Sequence, residues 1–381
     1  MRLLDKSDLI ALQRNLEDSL TRFAGTELRE AAADVTELAV YEAARTYLGR
    51  PSKRLLGMTF LVSCHALSSS TAEHDPKHLL AVATALEIRH AGILLHDDIV
   101  DGDVVRGGQP TAHHALAASS FGAEGRNAAI FVGDLLAALA PLPILRSGLT
   151  PCEKARLVDA MLVLTARVAA GQAEQLHLDT ACDIEKISEL DILRAHAATF
   201  SPYLNCSIHL ATILAGIENN VARCILECAV PIGQGFQVQN DLAGLIELDK
   251  QLRSGEPDTL TLANTSDLAR GRCTALVRAA LDRVTGADRA RLVAYLSGDN
   301  SIDIKDIIDL IRVSGALTHC DTLIANLFAQ ARRNIAEDPN LPPTVRKVLV
   351  IIWQYMFDLY DPYSDVSRLY LLARPNIRAS N

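Results

Sequence analysis

The chain has 381 residues, 49% of them hydrophobic, and a formal net charge of -9. That balance argues against a nucleic-acid binder, which needs Lys and Arg concentrated against phosphate backbones. No proline-, glycine- or serine-rich linker divides the sequence, so one domain over residues 1–381 is expected, with N-terminal helices over 1–48 and a C-terminal tail over 361–381.

Apolar residues recur at three- and four-residue spacing, and alternating strand-like runs bounded by turn pairs are missing. The fold class this predicts is all-α. In chain order, helices are expected over 6–24, 27–48, 53–69, 76–104, 125–145, 151–178, 187–215 and 219–248, then several shorter ones between 265 and 358. The first of them, within MRLLDKSDLIALQRNLEDSL, reads as an amphipathic helix and not as a leader. No run approaches the roughly 20 apolar residues that cross a bilayer; LLAVATALEI, the longest, stops at Arg89. A cytoplasmic protein without a transmembrane segment is expected, and its high apolar content suggests a helix-packed subunit interface, hence a homodimer. The likeliest loops are GRPSK, RGGQPTAHH and DKQLRSGEPDTLTLANTS, each rich in helix breakers. The eight cysteines show no CxxC spacing and read as buried free thiols. The aromatic C-terminal stretch ends with Arg368, Arg374 and Arg378. It reads either as a cationic cover for a cavity mouth or as a plain surface tail.

Two polar clusters interrupt this apolar pattern. In LLHDDIVDGDVVRGG, Asp97, Asp98 and Asp101 form a DDxxD group, and positions i and i+4 share one helical face. Carboxylates so close repel one another unless hard cations and a phosphate-bearing ligand offset the charge, so the spacing predicts a magnesium site. A solvated acidic helix end fits less well, because the preceding ALEIRHAGILLH should bury its face. The second cluster, GFQVQNDLAG, places Gln237, Asn240 and Asp241 on successive turns. Alone it reads equally as the polar end of a helix.

Taken together, the segments SKRLL, ALEIRHAGILLHDDIVD, FVGDLLAALA, AAGQAEQ, GFQVQNDLAG and SDLARGRCTALV resemble, in order and spacing, the trans-isoprenyl diphosphate synthases of the polyprenyl synthetase family, which includes geranylgeranyl and farnesyl diphosphate synthases. The resemblance implies a helical bundle around a deep cavity. There, opposed aspartate motifs would hold up to three Mg²⁺ ions with an allylic diphosphate, whose ionisation yields an allylic cation. It implies Asp97, Asp98, Asp101 and Asp241 as catalytic metal-binding residues, with Asn240 beside them. Arg106 would hold the allylic diphosphate, Lys53 and His90 the acceptor side, and Thr199, Gln237 and Arg272 polar positions around the donor. Gly92 and Ile93 would lie at the cavity floor, where a missing side chain favours a fifteen- or twenty-carbon substrate; a glycine there reads alternatively as a device for close helix packing.

The sequence departs from the family where the acceptor diphosphate would be gripped. Leu56 and Gly107 stand at two arginine positions, and losing two charge-assisted contacts costs roughly 3 to 6 kcal/mol. Ala198 replaces a lysine, Asn240 an aspartate and Gly244 another. The expectation is therefore a prenyltransferase whose acceptor is not ordinary isopentenyl diphosphate but, for example, an aromatic or indole-type nucleophile. Three alternatives remain open: a terpene cyclase, favoured by the Asn-Asp start of the second motif; an ordinary chain-elongating synthase with relocated arginines; and a non-catalytic regulatory subunit. The retained DDxxD argues against the last.

Overall fold

The computed structural model describes residues 4, 6–31, 38–50, 52–67, 74–106, 109–181, 183–254, 267–343, 345–346 and 349–350. The expected C-terminal tail with its three arginines, Gly107, Cys182 and most of the loop after Ser254 lie outside them. The elements are α1 (Lys6–Gly25), α2 (Glu27–Ala31), α3 (Leu38–Gly49), α4 (Leu55–Leu67), α5 (Pro76–Asp101), β1 (Val105–Arg106), β2 (Gln109–Pro110), α6 (Ala112–Ala117), α7 (Gly125–Leu139), α8 (Leu142–Arg146), α9 (Pro151–Ala181), α10 (Glu189–Leu214), α11 (Asn219–Ser254), α12 (Ala275–Leu281), α13 (Gly286–Leu296), α14 (Ile304–Val313) and α15 (Ala316–Glu337). The fold is all-α, and its one strand pair is a two-residue antiparallel hairpin in which Arg106 faces Gln109.

The chain forms two compact units: residues 1–162, 206–223 and 340–381 in one, and 163–205 and 224–339 in the other. In the first unit α5 is the central helix, packed by α1, α4, α7 and α8. Asp75 caps its start by accepting from the Lys77 amide at 2.9 Å, and Pro76 opens the first turn, where its missing N–H matters least. Its end is fixed by Gly102 in the left-handed conformation, φ 66°. The helix therefore stops three residues before the expected 104. Phe60, Leu86, Ile88, Leu95 and Leu136 are fully buried around it. In the second unit Val238, Leu242 and Leu245 of α11 join Leu276, Ala280, Leu292, Ile307 and Ile311 in one apolar core.

Three expectations are corrected. The helix expected over 125–145 breaks at Ala140, because Pro141 and Pro143 lack the N–H groups that would continue it. Two stretches, Pro76–Asp101 and Gly122–Arg146, are long and apolar enough to cross a bilayer. About half of each is buried within the chain, as in core helices. Finally, Cys152 is exposed, while Cys64, Cys206, Cys224, Cys228, Cys273 and Cys320 are buried free thiols as expected.

Candidate active site

The first acidic motif occupies the last turn of α5, the negative end of the helix dipole, where carboxylates are least welcome unless a cation joins them. Its three members have different surroundings. Asp97 and Asp101 are half-buried, whereas Asp98 is fully buried. The Tyr47 hydroxyl donates to Asp98 Oδ2 at 2.5 Å, and Arg106 Nε donates to Oδ1. Both Asp98 oxygens are thus engaged. Asp98 thereby positions Arg106, whose Nη2 reaches to 3.5 Å from Asp97 and 3.4 Å from Asp103. Burial opposes the Arg106 charge, but Asp98 and Asp97 outweigh it and hold the guanidinium protonated more firmly than usual. Burial, reinforced by Asp98, likewise keeps the Tyr47 phenol protonated.

On the acceptor side of the resemblance, Lys53 is half-buried just before α4, and its desolvation lowers the ammonium pKa. Leu56 is buried. Arg54 adopts φ 49°, unusual for a residue with a side chain, and this begins α4 one residue later at Leu55. Its guanidinium donates twice to Glu17 at 2.7 Å and to the carbonyls of Leu48 and Arg50 at 3.0 Å. It is therefore an internal tie and not a relocated phosphate ligand. His90 is half-buried, its Nδ1 3.9 Å from buried Glu87. Burial would raise the Glu87 carboxyl, but His90, Arg54 and the Gly57 amide, which donates to it at 2.8 Å, bring it below the ordinary value.

Gly92 does not form an open cavity floor. A Cβ there would lie 3.1 Å from the Gly133 carbonyl oxygen and 3.3 Å from Leu136 Cβ, so its missing side chain serves the close approach of α5 to α7. This corrects the expectation that Gly92 leaves room for a long prenyl tail. Ile93 beside it is half-buried.

In the second unit, α10 and α11 approach closely because Gly233 leaves no Cβ against Ser201, whose hydroxyl donates to the Val230 carbonyl at 3.1 Å. That contact sets the phase of the polar residues one turn on. Gln237 Nε2 donates to Asp241 Oδ1 at 3.2 Å. Asp241 Oδ2 is buried without a hydrogen-bond partner among the described residues, and His196 Nε2 lies 3.9 Å from it. Burial and the neighbouring Asp267 push the Asp241 carboxyl well above its ordinary pKa, while burial takes His196 down to about 4. Thr199 donates its hydroxyl hydrogen to the Ala195 carbonyl at 2.9 Å and keeps its lone pairs. Asn240 is exposed, about 100° around the helix from buried Asp241.

Asp267 was not singled out from sequence, yet it organises this half. Arg272 Nη1 donates to it at 3.0 Å and Arg270 Nη2 at 3.5 Å. With Asp241, Gly244 and Thr274 it lines a cavity of about 30 Å³, room for a water or a bare cation. The five-residue step from Asp267 to Arg272 inside SDLARGRCTALV was the available signal.

These donors fit magnesium in one particular way. Among the described residues no three His, Cys, Asp or Glu side chains converge on one point. Each unit instead offers a pair of hard oxygen ligands, Asp97 with Asp101 and Asp241 with Asp267, and the second pair contains a buried oxygen lacking a donor. Mg²⁺ is commonly held this way, by one or two carboxylates together with waters and substrate phosphates, and not by an all-protein cage.

The fold is all-α, and each unit carries an acidic pair beside an arginine. Residues 37–312 match the family described as Polyprenyl synthetase, and the chain belongs to that family. It is accordingly a prenyltransferase of isoprenoid biosynthesis. Among its relatives, a short chain isoprenyl diphosphate synthase of Methanothermobacter thermautotrophicus is 24% identical over 89% of this chain and 96% of its own length. Another so named, from Methanocaldococcus jannaschii, is 30% identical over 63% of this chain and 68% of its own. A crystal structure of geranylgeranyl pyrophosphate synthase from Corynebacterium glutamicum, complexed with isoprenyl diphosphate and magnesium, shares the fold with a TM-score of 0.74 at 23% identity, covering 93% of this chain and 99% of that one.

Proposed function

We propose that this chain is a magnesium-dependent, chain-elongating prenyl diphosphate synthase that takes an allylic diphosphate of about fifteen carbons and extends it with isopentenyl diphosphate. The observation that carries the reading is the division of hard ligands into two incomplete pairs, each beside an arginine: Asp97 and Asp101 with Arg106, Asp241 and Asp267 with Arg272. Each pair is of the kind that waters and phosphate oxygens complete around Mg²⁺. The names and full-length coverage of the relatives favour elongation over the cyclase alternative.

Bound magnesium would neutralise charge developing on the leaving diphosphate. Arg106, held by Asp98, keeps its remaining donors beside Asp97 in the first unit, and Arg272 stands beside Asp267 in the second, each a cation available to developing negative charge. The C1–O bond breaks with its electron pair leaving on diphosphate. The acceptor alkene then supplies the pair for the new C–C bond, and the resulting cation loses a proton to the departed diphosphate. Lys53 supplies positive charge to the acceptor, whose diphosphate would offset the burial that lowers the ammonium pKa.

A second reading, transfer to an acceptor without a diphosphate, is favoured by buried Leu56 and by the commitment of Arg54 to Glu17. One experiment separates the two. The protein is incubated with farnesyl diphosphate and Mg²⁺, with and without isopentenyl diphosphate, and products are identified by mass spectrometry. Elongated diphosphate formed only when isopentenyl diphosphate is present is the expected result. Consumption of the donor to a hydrocarbon or alcohol, or no elongation at all, would overturn the first reading.

A further inference from the structure

The acceptor motif has lost two arginines, at positions 56 and 107, yet a guanidinium that belongs to neither motif lies in the same unit. Arg50 follows α3 and is three residues before Lys53; its side chain is only 9% exposed. Its face stacks on the Tyr47 ring, 4.3 Å from the centroid, and Nη2 donates to the Pro110 carbonyl in the hairpin that carries Arg106. Nε and Nη1 are buried and have no hydrogen-bond partner among the described residues. Among the described residues no carboxylate forms an ion pair with Arg50, although Asp98 lies near enough to favour its charge and Arg106 near enough to oppose it. A buried cation with unused donors is expensive, and an incoming anion relieves that expense.

We propose that Arg50 grips the diphosphate of the acceptor, taking over from the arginines that Leu56 and Gly107 replace. This rests on the elongating reading above and makes it more specific. Of the two other arginines nearby, Arg54 is excluded because Glu17 and two backbone carbonyls take its donors, and Arg89 lies on α5 beside buried Cys206. Arg106 is committed to Asp98 and directed at Asp97, so it serves the donor diphosphate. Arg50 instead stacks on Tyr47 and lies three residues before Lys53. Reaching Nε and Nη1 requires the groups that cover them to move, so acceptor binding and a local shift near the hairpin occur together.

The test is steady-state kinetics of the full chain with Mg²⁺, farnesyl diphosphate and isopentenyl diphosphate. Arg50→Gln should raise KM for isopentenyl diphosphate about ten- to a hundredfold, the loss of one charge-assisted contact, and leave KM for farnesyl diphosphate unchanged. Gly107→Arg added to Arg50→Gln should recover most of the loss, which a merely structural residue would not allow. Arg50→Lys should fall between and carries the same comparison if Arg50→Gln does not fold. An equal rise in both KM values, or no rise, or no rescue by Gly107→Arg, overturns the assignment while the elongating reading stands. Absence of elongation by the unsubstituted chain overturns both.

Discussion

Asp97 and Asp98 are adjacent in sequence and opposite in role. The DDxxD spacing marks the cluster, but which carboxylate faces outward depends on helical phase and on Tyr47, 51 positions away, so that part was not legible in the motif. Asp97→Ala and Asp241→Ala should each lower kcat by about 10²–10³, the scale on which removal of an electrostatic partner of the leaving group is felt. Tyr47→Phe removes one hydrogen bond from a buried carboxylate. A loss of about 1–3 kcal/mol of stability, read by urea unfolding, should accompany a raised KM for the allylic donor. The Asp241 carboxyl also sets a pH dependence. Its folded pKa is raised above the ordinary 3.8, so its proton stabilises the fold below that value, and this contribution is lost as pH rises through the higher folded pKa. Without divalent cations, Tm should therefore fall over that interval. Asp241→Asn should flatten the profile, and Mg²⁺ with inorganic pyrophosphate should restore stability at the alkaline end. Superimposable profiles for the two proteins would remove Asp241 as the cause.

Helices are legible where apolar periodicity is strong, and their ends where a residue has only one conformational use. Pro76 and Gly102 bound α5 in this way, whereas the start of α4 is set by Arg54 at positive φ, which no propensity anticipates. Close helix approaches were the less legible feature, because a glycine looks the same in sequence whether it lines a cavity or meets a backbone. Gly92 and Gly133 are both consumed at the α5–α7 contact, the second because a Cβ would strike the His96 ring at 2.2 Å. Gly171 similarly admits the Ala198 carbonyl of α10 to α9. Gly92→Ala is expected to destabilise by about 1–3 kcal/mol through overpacking while product length, measured by mass spectrometry, stays unchanged. A lengthened or shortened product at undiminished stability would return Gly92 to the cavity wall.

At the scale of the whole molecule, the ordered motifs pointed to the family, and the apolar content of the sequence suggested a subunit interface without locating it. Ile130 and Phe131 on α7 are 40% and 67% exposed, and we propose that this face meets a second copy of the chain. Light scattering after size-exclusion chromatography should report twice the chain mass, and Phe131→Glu should halve it; a monomer in both cases would discard the idea. The Arg54 tie reaches further than its own loop. Glu17 belongs to α1, a helix with no motif of its own, and Leu16 beside it occupies the space that a side chain at Gly57 would need. Shortening the protein at its amino terminus to ease expression would thus slacken the turn that presents Lys53, and a deletion chosen for convenience would surface as weakened acceptor capture far from the cut.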